Sequence, residues 1–299
     1  MNRFAAFAVA LASTALVAAP TSAQRDFSQV EVTAEEIATG VAVLFGAGGN
    51  IGVSHGDDAT VIIDDQFAPL SGKIEAAIAS LGASPVKYVV NTHWHFDHTG
   101  GNEHFGGTGA TIFAHDNVRI RMAEGGMAAG NNTPPAPDIA LPVVTYGQGM
   151  RFHLNDDTIN LMFLGGGHTD GDSVVFWENK NIVHMGDLYF NIPGYPFIDT
   201  NSGGSVYNAM DSLDLVIAMI DDKTKVIPGH GPMSNKAELV AYRAMIGEAV
   251  QRVEAESASE GATLERVIAA KLLDDIDRGE GGFIDADAFV TAIWNSMNE

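Results

Sequence analysis

The chain has 299 residues, 46% of them hydrophobic, enough for one large domain or two small ones with an ordinary core. A formal net charge of −22 repels polyanions and sets nucleic acid aside as a partner. There is no cysteine, so no disulfide supports the fold and any bound metal must be held by nitrogen and oxygen.

Residues 1–23 read as a secretory signal peptide. Arg3 is the lone basic residue, residues 4–19 are apolar and small, Pro20 breaks the run, and Thr21-Ser22-Ala23 offers a small-residue cleavage site before Gln24. The mature chain, 24–299, is then exported, most simply to a bacterial periplasm. It is read as one domain with C-terminal helices from about residue 236. No run of about 18 apolar residues follows, so no membrane span is expected.

Val41–Phe45 and Ile51–Ser54 read as strands joined by a Gly-Ala-Gly-Gly-Asn hairpin, residues 46–50, whose glycine-rich tip suits a mobile flap. Residues 59–63 form a third strand. Ile74, Ala77, Ile78 and Leu81 carry helical periodicity over 70–81, ended by Gly82. Val86–Val90 is a β-branched and aromatic strand. Residues 111–114 form another, followed by a helix over 115–124 and a Gly-, Asn- and Pro-rich loop over 125–142. The second half repeats the alternation. Strands fall at 150–154, 158–164, 173–177, 182–185 and 225–227, and helices at 206–220, 236–255, 264–276 and 285–297. Strands followed by helices in each half predict a layered αβ/βα sandwich with its site at strand ends.

The run His93-Trp94-His95-Phe96-Asp97-His98 is the densest chemical signal in the chain. A helical zinc pair is spaced i, i+4. His93 and His95 are spaced i, i+2, which suits the end of a strand, where alternate side chains face one way. They would face one ion, and Asp97 and His98, in the turn that follows, would reach a second. Three further segments place a ligand-type side chain after a strand and a tight glycine turn. These are Gly165-Gly166-Gly167-His168-Thr169-Asp170, His184-Met185-Gly186-Asp187 and Pro228-Gly229-His230.

The order His-x-His-x-Asp-His, Gly-His-Thr, Gly-Asp, Pro-Gly-His, over about residues 40–235, resembles the metallo-β-lactamase superfamily of dinuclear hydrolases. The resemblance implies a four-layer αβ/βα sandwich with two mixed β-sheets and a metal site at one edge. It places His93, His95 and His168 on one metal, Asp97, His98 and His230 on the other, and Asp187 between them. Lactamases that bind zinc through a thiolate carry Cys near the position of Asp187, and no Lys or Arg follows Asp187 before Lys223 to anchor a substrate carboxylate. Oxygen-reducing di-iron relatives carry Glu at the position of His95, so histidine there favours hydrolysis.

Two metals about 3.5–4 Å apart would bridge a hydroxide that attacks a polarised carbonyl. Two Zn²⁺ are the default, with Mn²⁺ or Fe²⁺ tolerated by the same ligands. Asp97 could orient the hydroxide and Tyr189 could donate to the developing oxyanion. Thr92, Thr169, Asp170, Asp172, Ser173 and one of Asp64 or Asp65 are candidates for holding the ligands by hydrogen bonds. His184 reads as a buried structural histidine. Residues 188–204 supply an apolar wall. The substrate is a small molecule with a hydrolysable carbonyl: a β-lactam, or alternatively a lactone, thioester or ester. A metal-binding accessory protein of a periplasmic dehydrogenase is the reading from another class.

Overall fold

In the computed structural model, residues 26–128, 130–279 and 281–298 are described. The signal-peptide segment 1–23 lies outside them. The first sheet begins with an antiparallel meander of β1 (Thr33–Ala38), β2 (Val41–Phe45), β3 (Ile51–Ser54) and β4 (Thr60–Ile63). It continues with two parallel neighbours, β5 (Val86–Val90) and β6 (Thr111–His115). A separate hairpin, β7 (Gly126–Ala128) and β8 (Asn131–Thr133), gives order to a segment that reads from sequence as an irregular loop. β9 (Val144–Tyr146) then closes the first sheet beside β6.

The second sheet runs β10 (Gly149–Leu154), β11 (Asp157–Phe163), β12 (Ser173–Trp177), β13 (Ile182–His184), β14 (Lys225–Ile227) and β15 (Ser234–Asn235). Only β13 and β14 are parallel in it. The helices are α1 (Ser71–Ser80), α2 (Phe96–Thr99), α3 (Asn102–Gly107), α4 (Asp116–Glu124), α5 (Val206–Met219), α6 (Lys236–Ser257), α7 (Leu264–Ala269) and α8 (Ala286–Met297).

The period-two alternation of the strands explains the layering. Val41, Val43, Val61, Ile63 and Val90 of the first sheet pack against Ile159, Leu161, Val175, Trp177 and Ile227 of the second. Their sequence neighbours Ala42, Leu44, Ile62 and Val89 face the other way, onto Leu70, Ile74, Ile78 and Phe105. On the far side Val174, Val183 and Val226 pack on Leu213, Leu239, Tyr242, Ile246 and Phe289. Strands that alternate between two apolar layers read as near-continuous hydrophobic runs, because both faces are covered. The result is two mixed sheets face to face with helices outside each, the expected αβ/βα sandwich. β1 was missed because its exposed face is charged. The helix read over 264–276 stops at Ala269 and continues as turns, with Lys271 at φ 50°.

Candidate metal centre

The site residues leave the carboxyl ends of β4, β5, β13 and β14, and the glycine turn before β12. They meet at one edge of the sandwich. The strand leading to the histidine run ends at Val90, as read from the sequence, and so three residues before His93 rather than at it. His93 lies in a bend beyond it, and His95, extended at φ −64° and ψ 145°, is the residue before α2. Asp97 and His98 therefore sit on a short helix rather than in a turn. The residues named by the spacing still converge, through a bend and a short helix rather than through strand alternation.

Two groups of ligand atoms form. His93, His95, His168 and Asp187 make one, and Asp97, His98 and His230 the other, the atoms in each lying within 4.8 Å of one another. Asp187 stands between them. Its Oδ2 is 3.6 Å from His168 Nε2 and 3.4 Å from His230 Nε2, and its Oδ1 is 3.2 Å from His98 Nε2. The first group is buried. The second opens outward, with the Asp97 and His230 side chains 24% and 20% exposed.

Hydrogen bonds decide which ring nitrogen of each imidazole is free. His95 Nε2 donates to Asp199 Oδ2 at 2.8 Å, leaving Nδ1 facing the site. His168 Nδ1 donates to the Phe197 carbonyl at 2.6 Å, leaving Nε2. The Thr92 hydroxyl donates to Asp64 Oδ2, so His93 Nδ1 donates to Thr92 Oγ1 at 3.0 Å. His98 Nδ1 donates to the same Asp64 oxygen at 2.7 Å. The freed atoms face one another: His95 Nδ1 and His168 Nε2 at 2.8 Å, His98 Nε2 and His230 Nε2 at 3.2 Å. His93 Nε2 and Asp187 Oδ1 are buried with no hydrogen-bond partner. Converging lone pairs with orphaned buried acceptors are what a cation satisfies, so these residues fit metal ions.

The electrostatics agree. Burial, reinforced by the neighbouring His98, pushes the His93 pKa well below the usual histidine value. Burial and His95 lower His168 to about 4. Both imidazoles are thus neutral, the form in which they could hold a metal. Burial works to raise Asp187, but His98, His230 and His93 outweigh it and hold the carboxylate well below its ordinary range. Burial likewise opposes charge on His98, yet Asp187, Asp64 and Asp97 raise it well above the usual value. The field at His98 Nε2 thus favours a positive charge.

The remaining candidates divide. Thr92 and Asp64 touch the ligands directly. Burial raises Asp65 well above the carboxylate range, and it caps Gly101 instead. Asp172 takes both the backbone N–H and the hydroxyl of Thr169, holding the turn that carries His168. Asp170 pairs with Arg121, and Ser173 accepts from Tyr146. His184 is structural, its Nε2 on the Asn50 carbonyl. The residue missed is Asp199, 104 positions from the His95 it orients. Nothing local in the sequence marks it.

Two expectations are corrected. Tyr189 does not face the site. Its ring is packed on Tyr242, and because Ser234 donates to Glu238, the Tyr189 hydroxyl donates to Ser234 Oγ at 2.8 Å within the core. After Asp187, one helical turn over Gly186–Leu188 rotates the next side chain inward. Nor is the 46–50 hairpin tip a free flap. Gly49 N–H bonds Asp97 O, Asn50 N–H bonds Gly229 O, and the Asn50 amide donates to the Pro228 and Gly231 carbonyls.

Two groups of ligand-type side chains joined by one carboxylate, at the edge of a sandwich of two mixed sheets, form a candidate metal centre. The sequence profile of the metallo-β-lactamase superfamily matches residues 45–230, and the chain belongs to that superfamily. It is a metal-dependent hydrolase of that superfamily. It is similar to a hydroxyacylglutathione hydrolase of Methylococcus capsulatus, 26% identical over 223 residues, covering 73% of this chain and 76% of the relative. It also resembles the 2,4-dinitroanisole O-demethylase subunit alpha of a Nocardioides species, 24% identical over 148 residues, covering 48% and 42%. Among solved structures, a metallo-β-lactamase from Pontibacter korlensis superposes with TM-score 0.59 at 22% identity, covering 73% of this chain and 99% of that one. A sec-alkylsulfatase from Pseudomonas gives 0.67 at 16%, covering 88% and 50%. At these identities the structural likeness establishes the fold.

Proposed function

We propose that the protein is an exported dinuclear zinc hydrolase of an uncharged carboxylic acid derivative, an ester, thioester or lactone. The observation that carries this is the cavity above the ligands. It has a volume of about 330 Å³, with His95, Asp97, Asp187 and His230 at its base and Phe67, Phe96, Phe190 and Phe197 among its walls. No lysine or arginine lines it among the described residues. A substrate carboxylate lying along the walls, away from the metal ligands, would meet no cationic side chain, which costs several kcal/mol in an apolar site. That places β-lactams, with their carboxylate, behind neutral substrates. The kinship with hydroxyacylglutathione hydrolases supports attack at an acyl carbon.

His93, His95 and His168 would hold one ion, Asp97, His98 and His230 the other, and Asp187 both. When bound, such a pair lowers the pKa of water and polarises a carbonyl. The chain's own residues supply the rest. Asp199, Asp64, Thr92 and the Phe197 carbonyl fix the imidazoles. Asp97, which lines the cavity and is 24% exposed, would accept a proton from the attacking water and pass it to the leaving group. The phenylalanine walls seat the apolar part of the substrate and exclude water.

The test is to purify the mature chain and count metals. A neutral lactone, an ester, a thioester and a chromogenic cephalosporin are then assayed beside Asp97→Ala. About two zinc ions per chain and neutral substrates turned over faster than the cephalosporin are expected, with Asp97→Ala slowed at least about 100-fold. Activity unchanged in that variant, or a cephalosporin preferred over every neutral substrate, would overturn the proposal. Export is checked separately: periplasmic protein should begin at Gln24.

A further inference from the structure

Beyond the superfamily match at 45–230, the chain sends one segment back to the cavity. Residues 278–279 and 281–284 lie along 192–195, with Gly194 N–H on the Arg278 carbonyl at 2.8 Å and Tyr195 N–H on the Ile284 carbonyl at 2.9 Å. The Arg278 side chain returns a bond to the Gly194 carbonyl at 2.9 Å. The two backbones touch where both residues are glycine. A Cβ on Gly282 would stand 2.3 Å from Gly194 Cα and 2.6 Å from the Pro193 carbonyl oxygen. This clasp puts Phe283 and Ile284 among the residues lining the cavity, next to Ile192 and Pro193.

Phe283 is 73% exposed, the most exposed large apolar side chain among the described residues. It is nonetheless placed. Its ring meets Phe197 edge-on at 5.8 Å and 86°. Phe197 in turn stacks on His95 at 5.8 Å and 21°, and its carbonyl holds His168. Phe96, 41% exposed, lines the same cavity. An aromatic ring left in water at the mouth of an apolar cavity has surface to lose to a ligand, and such burial is favourable in proportion to area.

We infer that Phe283 is a specificity-determining residue, and that Phe283 and Ile284 form the wall against which the apolar chain of the substrate lies as it leaves the reacting carbonyl. The inference rests on the hydrolase reading above and deepens it. The substrate is a neutral acyl compound with a tail of several carbons, long enough to pass from the metal ligands to Phe283. Selection is by tail length and not by charge.

The metal-loaded protein is tested with 4-nitrophenyl esters from acetate to octanoate. Binding of acetamide and octanamide is measured by calorimetry alongside. The wild type should favour octanoate over acetate in kcat/KM and bind octanamide more tightly than acetamide. Phe283→Ala should lose about tenfold on octanoate, mainly through KM, and about tenfold in octanamide affinity. Acetate turnover, metal content and Tm should stay as they are. Gly282→Ala, which alters no lining side chain, should shift the length preference the same way by moving the segment. An unchanged length preference in both variants would overturn the inference. If the wild type hydrolyses no ester while the octanamide preference and its loss in Phe283→Ala remain, the hydrolase reading falls and the apolar wall stands.

Discussion

Asp64 holds a left-handed backbone, φ 66°, immediately after β4, and is fully buried. Aspartate and asparagine tolerate that conformation better than other non-glycine residues. Its two oxygens take the Thr92 N–H, the Thr92 hydroxyl and His98 Nδ1. One carboxylate therefore orients His98 directly and His93 through Thr92. Asp199 does the same for His95, steadied by Ser202. Asp64→Asn and Asp199→Asn should each weaken zinc binding by about 10–100-fold, read by competition with a chromophoric chelator, with secondary structure intact. Affinity unchanged in both would mean the ligands are positioned by packing alone. Tyr189 is the contrasting residue. Tyr189→Phe should leave kcat/KM where it is and reduce unfolding free energy by about 1 kcal/mol, the worth of its bond to Ser234. A large loss of kcat at unchanged Tm would restore a part for it in the reaction.

At the scale of elements, short turns after strands deliver the ligands, and their glycines are needed for proximity. A Cβ on Gly229 would lie 2.1 Å from Asp187 Oδ1, and one on Gly49 would lie 2.1 Å from His98 Cε1. The turn carrying His230, the hairpin tip of β2 and β3, and the Asp187 turn are thus packed backbone against side chain. Gly229→Ala should displace Asp187, reducing bound metal below about two per chain and activity by more than about tenfold. Metal analysis and kinetics on the same preparation would show it, and full occupancy with full activity would refute it. The same packing explains the pinned hairpin. Glycines at 46, 48 and 49 are legible as a turn, but flexibility was the wrong inference. Asn50 ties that turn to Pro228 and Gly231, residues some 180 positions away.

For the whole molecule, the absence of disulfides leaves the core and the metals to hold the fold. His93 and Asp187 carry unsatisfied polar atoms that a cation would pair. A ligand present at about 1,000 times its Kd stabilises by about 4 kcal/mol, near 10 °C in Tm for a chain of this size. Chelation should lower Tm by about that much and zinc should restore it, followed by calorimetry. A Tm indifferent to chelator would mean the site contributes nothing to the fold. Among the described residues no helix is long and apolar enough to cross a membrane.

The sequence alone determined which ligand-type residues gather at one edge, and the layering. His93, His95, Asp97, His98, His168, Asp187 and His230 each follow a strand or sit in a dense run, and both signals are local. Alternation along β2, β4 and β5 likewise records two buried faces. Only the tertiary structure decided which ring nitrogen each imidazole leaves free, that Asp199 serves His95, that Tyr189 turns into the core, and that Phe283 reaches the cavity. Those outcomes depend on hydrogen bonds and ring contacts between residues far apart in the chain. Spacing along a chain carries no information about such partners until the sheets have packed.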